Sequence, residues 1–152
     1  DAMTIDRIET IIKRLDEDSE RNGNSILFSF AERQILLVSD PEADRMRIMI
    51  PVNDAAALDP EELMRLMQAN FDSALDARYA IANGTLWSTF LHRLSTLTEI
   101  DFLSGIGQTI NTADSFGTSY SSGEFVFGGG DSGELQRRKL IDELQRRGRE
   151  TI

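Results

Sequence analysis

A chain of 152 residues with no cysteine, one histidine and a formal charge of −10 has the length of one domain with a sizeable core. It excludes disulfides, thiolate nucleophiles and thiolate metal sites, and its acidity opposes binding to a phosphate backbone, so no nucleic-acid partner is expected. No apolar run approaches 18 residues, so no membrane span or signal peptide is read and a cytoplasmic location is expected.

The charge is uneven. Residues 132–152 carry six basic and four acidic side chains, net +2; against −10 for the whole chain, this leaves −12 on the 131 residues before them. An acidic body of this kind favours solubility and basic partners.

Thr4 caps a first helix whose apolar stripe is Ile5, Ile8, Ile11, Ile12 and Leu15. Asn22-Gly23 is expected to end it, glycine supplying the left-handed stop. Three strands are expected next: Ser25 to Phe30; Gln34 to Ser39, after a turn at Ala31-Glu32-Arg33; and Arg45 to Val52, after the turn Asp40-Pro41-Glu42-Ala43-Asp44. In the third, Met46, Ile48, Ile50 and Val52 alternate with Arg45, Arg47 and Met49. Pro51 predicts that this strand ends there or lies at a sheet edge.

Asp59-Pro60-Glu61-Glu62 opens a second helix with an N-cap, a proline at the first position and acids at the positive end of the dipole. Its buried face is predicted as Leu63, Leu66, Met67 and Phe71. Asn83-Gly84 then joins two strand-like runs, the strongest short-range hairpin signal, because both central residues of a type I′ turn need positive φ. A two-residue turn pairs Ala82 with Thr85, Ile81 with Leu86, Ala80 with Trp87 and Tyr79 with Ser88. Tyr79, Ile81, Leu86 and Phe90 then share one face, and Ala80, Ala82, Trp87 and Leu91 the other. Both faces are apolar, and helices on one side would leave the second uncovered. Ala80, Ala82, Trp87 and Leu91 are therefore the candidate partner-binding residues.

A third helix is expected from Thr96, capped with Glu99, with Leu97, Ile100, Leu103, Ile106, Ile110 and Ala113 as its stripe. Gly105 and Gly107 cost helix propensity and point to a close approach of another backbone. Beyond Ala113 the chain becomes rich in Ser, Gly and Thr as far as Gly133, interrupted by Tyr120 and Phe125-Val126-Phe127. Glu134 to Arg147 reads as a fourth helix with Leu135, Leu140, Ile141 and Leu144 as apolar positions. That face is too narrow to be stable alone, so the helix is expected to dock on its own or a neighbouring domain. The fold class expected is α+β: an antiparallel five-stranded sheet with helices packed on it, in the order α-β-β-β-α-β-β-α, plus a C-terminal tail helix. The domain spans residues 3–116 and the tail 117–152.

Reactive constellations are sparse. Gly128, Gly130 and Gly133 match a dinucleotide fingerprint, but the second parallel strand that motif needs has no room to follow, so a flexible linker is the better reading. The sequon Asn83-Gly84-Thr85 is accounted for by the hairpin. His92 has no second His or Cys to share a metal with, and no Gly-x-Ser-x-Gly elbow accompanies it. No catalytic residue, cofactor or metal ligand is assigned, and no enzymatic activity is expected.

The runs Leu63-Met64-Arg65-Leu66-Met67-Gln68-Ala69-Asn70-Phe71, Tyr79-Ala80-Ile81, Asn83-Gly84-Thr85-Leu86-Trp87 and Leu94-Ser95-Thr96-Leu97-Thr98, in this order of elements, resemble the type III secretion chaperone-like fold. That group includes the Tir-type chaperones and the YbjN-like sensory transduction regulators, and the likeness covers Thr4 to Ala113. The resemblance implies a small, acidic, bacterial, cytoplasmic, non-enzymatic protein that forms a homodimer. It would hold an extended protein or peptide partner along apolar surface, partly by strand addition, a role carried over to Ala80, Trp87 and Leu91. The stretch from residue 114 to 152, which holds the tail, departs from the common pattern. The alternatives are a small-molecule-sensing regulatory domain and a carboxylate- or metal-dependent enzyme.

Overall fold

The computed structural model describes residues 2–118 together with Leu144 and Arg146. Its elements run α1 (Ile5–Leu15), β1 (Glu20–Asn22), β2 (Ser25–Phe30), β3 (Arg33–Asp40), β4 (Arg45–Asp54), a 3-10 turn at Ala55–Ala57, α2 (Pro60–Asp72), β5 (Arg78–Ala82), β6 (Thr85–His92) and α3 (Glu99–Asp114). The strands form one antiparallel sheet in the order β1-β2-β3-β4-β6-β5.

The architecture is α+β with an antiparallel sheet, but the sheet has six strands rather than five. The extra strand is β1, from a segment expected to continue the first helix. That helix stops at Leu15, and Asp16 closes it, its N–H donating to the Ile12 carbonyl at 2.8 Å. Gly23 does adopt positive φ, +63°. It turns β1 into β2, with Asn22 opposite Ser25, rather than ending a helix.

β4 is an interior strand between β3 and β6, but its pairing with β3 ends at Met49, so Pro51, expected at an edge or a strand end, has a ladder partner on one side only. It faces Trp87, the register shifts between Pro51 and Asn53, and Val52 is the extra residue. A bulge is the other place where a sheet accepts proline, since the ladder is already interrupted there.

The hairpin follows the predicted register at all four pairs, with Asn83 at φ +52° and Gly84 at φ +77°. Asp59 and Glu62 form a reciprocal capping box. The cap of α3 is Thr98, which accepts the Asp101 N–H at 3.0 Å, not Thr96. Phe102 rather than Ile100 faces the core. At about 100° per residue, Phe102 lies roughly 40° from Ile106 around the helix and Ile100 roughly 120°. Phe102 is fully buried and Ile100 is 63% exposed.

Helices α1, α2 and α3 pack on one sheet face. Ile8, Ile11, Ile12 and Leu15 of α1 and Phe102, Leu103, Ile106 and Ile110 of α3 share a core with Ile26, Phe28, Ile35, Leu37, Met46, Ile48, Ile50 and Phe90. A smaller cluster seats α2 by Leu66 and Ala69 on Tyr79 and Leu86. Leu144 and Arg146 are helical, and Leu144 is fully buried within the larger core. The rest of the tail helix expected over Glu134 to Arg147, and the Gly/Ser segment before it, lie outside the described residues. Among the described residues no helix is long and apolar enough to cross a membrane.

The β3–β4 turn is tied to the segment before α3 by Asp44. Its carboxylate accepts the Ser95 hydroxyl at 2.6 Å and the Ser95 N–H at 2.8 Å. These bonds favour the charged form and hold the Asp44 pKa below the ordinary carboxylate value. A depressed folded-state pKa contributes stability that is complete above the unfolded value and is lost as pH falls through the folded one. Asp44→Asn is therefore expected to flatten the loss of stability below about pH 4, read from urea midpoints across the acid range, and to leave the slope above about pH 5 unchanged.

Candidate functional site

The sheet face opposite the helices has no described element over it. Strand alternation puts Leu27, Leu36, Val38, Met49, Trp87 and Leu91 there, together with Ala80 and Ala82. The register sets them side by side. Leu27, Leu36, Met49 and Thr89 are successive partners across β2, β3, β4 and β6. Val38, Arg47 and Leu91 form the next row, and Pro51, Trp87 and Ala80 another. Leu27 is 41% exposed, Val38 37% and Leu91 51%, while Leu36, Met49 and Trp87 are half-buried. The result is an apolar band across four strands, open to solvent on the described chain.

All four residues singled out from the sequence lie on this face. Ala80, Ala82 and Leu91 are exposed and Trp87 is half-buried. The Trp87 indole N–H donates to the Ala82 carbonyl at 3.2 Å, which pins the ring across the hairpin toward β5. Leu27, Leu36, Val38 and Met49 were missed. Their signal was in the strand patterns: Ile35-Leu36-Leu37-Val38 is a continuous apolar run, where a sheet wet on one side alternates.

A shallow depression of about 360 Å³ opens on this face over β3, β4 and β6, walled by Val38, Met49 and Leu91, with Asp40, Arg45 and Arg47 at its polar side. Asp40 accepts the Ala43 N–H at 3.2 Å, and Arg45 donates to the Ala43 and Asp44 carbonyls. Arg47 is exposed, and its guanidinium has no hydrogen bond or ion pair among the described residues. Three other arginines are ion-paired with acids from distant parts of the chain: Arg14 with Glu99, Arg21 with Asp6 and Glu9, Arg33 with Asp114.

A second surface that the described residues leave exposed is formed by α2 and the segment just after it. Met67 and Phe71, predicted as part of its buried face, are 68% and 88% exposed, with Met64 at 73% and Leu75 at 56%. The sheet takes the Leu66–Ala69 side instead. Met67 lies about 100° and Phe71 about 140° around the helix from Leu66, too far to reach it. A helix apolar on both sides, with one side exposed among the described residues, has an apolar face still open to a partner.

The sheet edges are protected. The Asn70 side chain donates to the Tyr79 carbonyl at 3.0 Å and accepts the Tyr79 N–H at 2.7 Å, occupying outward-facing backbone groups of β5. At the other edge the Asp16 carboxylate accepts the Ser29 N–H at 2.8 Å, and β1 is only three residues long. Short edges and side-chain plugs oppose strand addition.

Where α3 meets the hairpin, the crevice lined by Tyr79, Gln108, Asn111 and Thr112 holds about 20 Å³, room for one water. Burial pushes the Tyr79 phenol pKa well up, and its hydroxyl donates to the Thr112 carbonyl. His92 stacks on Phe90, with Nδ1 2.8 Å from the Arg93 carbonyl oxygen. Among the described residues no three His, Asp or Glu side chains stand together as a metal site.

No family model matches the sequence, and no curated protein matches it. A solved structure does: the crystal structure of the ExsC-ExsE complex. The match has a TM-score of 0.52 and 15% identity, covering 74% of this chain and 92% of that one. At that identity the likeness is one of fold alone.

Proposed function

We propose that this chain is a non-enzymatic protein-binding domain, chaperone-like or regulatory, that holds a protein or peptide partner on the open sheet face and acts in the cytoplasm as a homodimer. The observation that carries the reading is the apolar band across β2, β3, β4 and β6 on the side of the sheet that no described element covers. The structural neighbour is itself a complex of two proteins, which agrees with such a role. Burial of apolar surface, worth about 25 cal/mol per Å² before association costs, supplies the affinity. The plugged edges favour a partner laid across the face over one added as a further strand. The bare side of α2 is a separate surface, suited to a second copy.

The experiment is affinity capture from the native cytosol followed by mass spectrometry, comparing wild type with a Trp87→Ala, Leu91→Asp double variant. Both side chains lie on the open face, so the variant is expected to keep its circular dichroism and its melting temperature within a few degrees. Its specific partner is expected to fall at least tenfold in recovery. Equal recovery by a folded double variant rejects the sheet face as the binding surface.

A further inference from the structure

We propose that the segment held on the open sheet face places a carboxylate, from Asp or Glu, against Arg47. This rests on the reading of that face as a binding surface and adds what the surface selects. Arg47 stands between Val38 and Leu91 in one cross-strand row, with Met49 two residues along the same strand and the same side of the sheet. Any partner that covers the apolar band removes water from around this guanidinium. Arg47 has no acceptor of its own among the described residues, and the nearest acid in the depression, Asp40, is held by the turn at the Ala43 N–H. A cation dried without an acceptor opposes binding. A carboxylate supplied by the partner turns that penalty into a charge-assisted and potentially bidentate pair.

The rest of the chain is strongly acidic, so the attraction is local: at physiological salt it extends about 8 Å. It selects one acidic position flanked by apolar ones rather than an acidic polymer. In an extended segment the side chains facing the sheet recur at every second residue, so the expected motif is apolar–x–acid–x–apolar. A second copy of this face is a poorer occupant, because a two-fold contact centred on the depression would bring Arg45 and Arg47 toward their own counterparts.

The test is selection of a random twelve-residue peptide display library on three immobilised proteins: wild type, Arg47→Glu, and the Trp87→Ala, Leu91→Asp variant. The best wild-type peptide is then measured by fluorescence polarisation with its acid as Glu and as Gln. The expected result is an Asp or Glu two residues from apolar positions on wild type, Lys or Arg at that position on Arg47→Glu, and at least tenfold weaker binding of the Gln peptide. Apolar motifs with no acid enrichment and equal Glu and Gln affinities mean that Arg47 turns its charge out to water along its apolar stem; that overturns this inference and leaves the sheet-face reading standing. Identical selections on wild type and on the Trp87→Ala, Leu91→Asp variant overturn both.

Discussion

Gly105→Ala is expected to destabilise the fold by about 2 kcal/mol, although alanine is the better helix former. A Cβ built at Gly105 would lie 2.7, 2.8 and 2.9 Å from Cε1, Cδ1 and Cζ of Phe90, distances that real contacts do not sustain. Phe90 is 4% exposed and sits in the main core beside Leu103 and Ile106, so its ring cannot step aside without displacing them. Overpacking of this kind costs about 1–3 kcal/mol. The propensity gain at a helix interior offsets it by about 1 kcal/mol, and with three ring carbons closer than 3 Å the cost lies at the top of that range, which leaves a net loss of about 2 kcal/mol. The sign decides the matter: with room for the methyl, Gly105→Ala would stabilise. Urea unfolding of wild type and variant gives the difference, and Gly105→Ala combined with Phe90→Leu is expected to recover part of the loss. The sequence expectation that a backbone approaches this helix closely is answered by the Phe90 ring.

On the proposed dimer reading with α2 as the contact, a chain carrying Met67→Glu and Phe71→Glu is expected to be monomeric at concentrations where wild type self-associates, with self-association weakened at least 100-fold, about 3 kcal/mol. The two side chains are 68% and 88% exposed, so the substitutions leave the fold within about 0.5 kcal/mol of wild type. Met64, Met67 and Phe71 are spaced by three and four residues and form one stripe. Two copies of a helix can lay such a stripe against each other about a two-fold axis, each serving as the other's partner. The added carboxylates join Glu61, Glu62 and Asp72 on the same helix, and self-repulsion follows. Sedimentation velocity over a hundredfold range of concentration makes the comparison. A wild type that stays monomeric throughout, or a variant that stays dimeric, rejects α2 as the dimer contact.

Much of the candidate site was legible in the chain. The register of β5 against β6 follows from Asn83-Gly84 alone, because a two-residue turn with both residues at positive φ leaves one way to pair the strands. That register put Ala80, Trp87 and Leu91 on one face before any contact was known. The wider band was less legible, since Leu27 and Val38 join Leu91 only through the order of strands in the sheet. A row across four strands leaves no local mark on any one of them beyond an apolar residue out of alternation.

What the sequence by itself determined were the features whose partners lie within a few residues: the Asp59–Glu62 cap, the Asn83-Gly84 turn, the alternation along β2 and β4, and the apolar stripe of α1. What only the tertiary structure decided were the sixth strand, the interior bulge that accommodates Pro51, the side of α2 that meets the sheet and the side that is left bare. The reason is physical. A cap or a turn minimises its energy within one segment. Burial belongs to two surfaces at once, and α2, apolar on both sides, carries no internal preference for which of them the sheet will take.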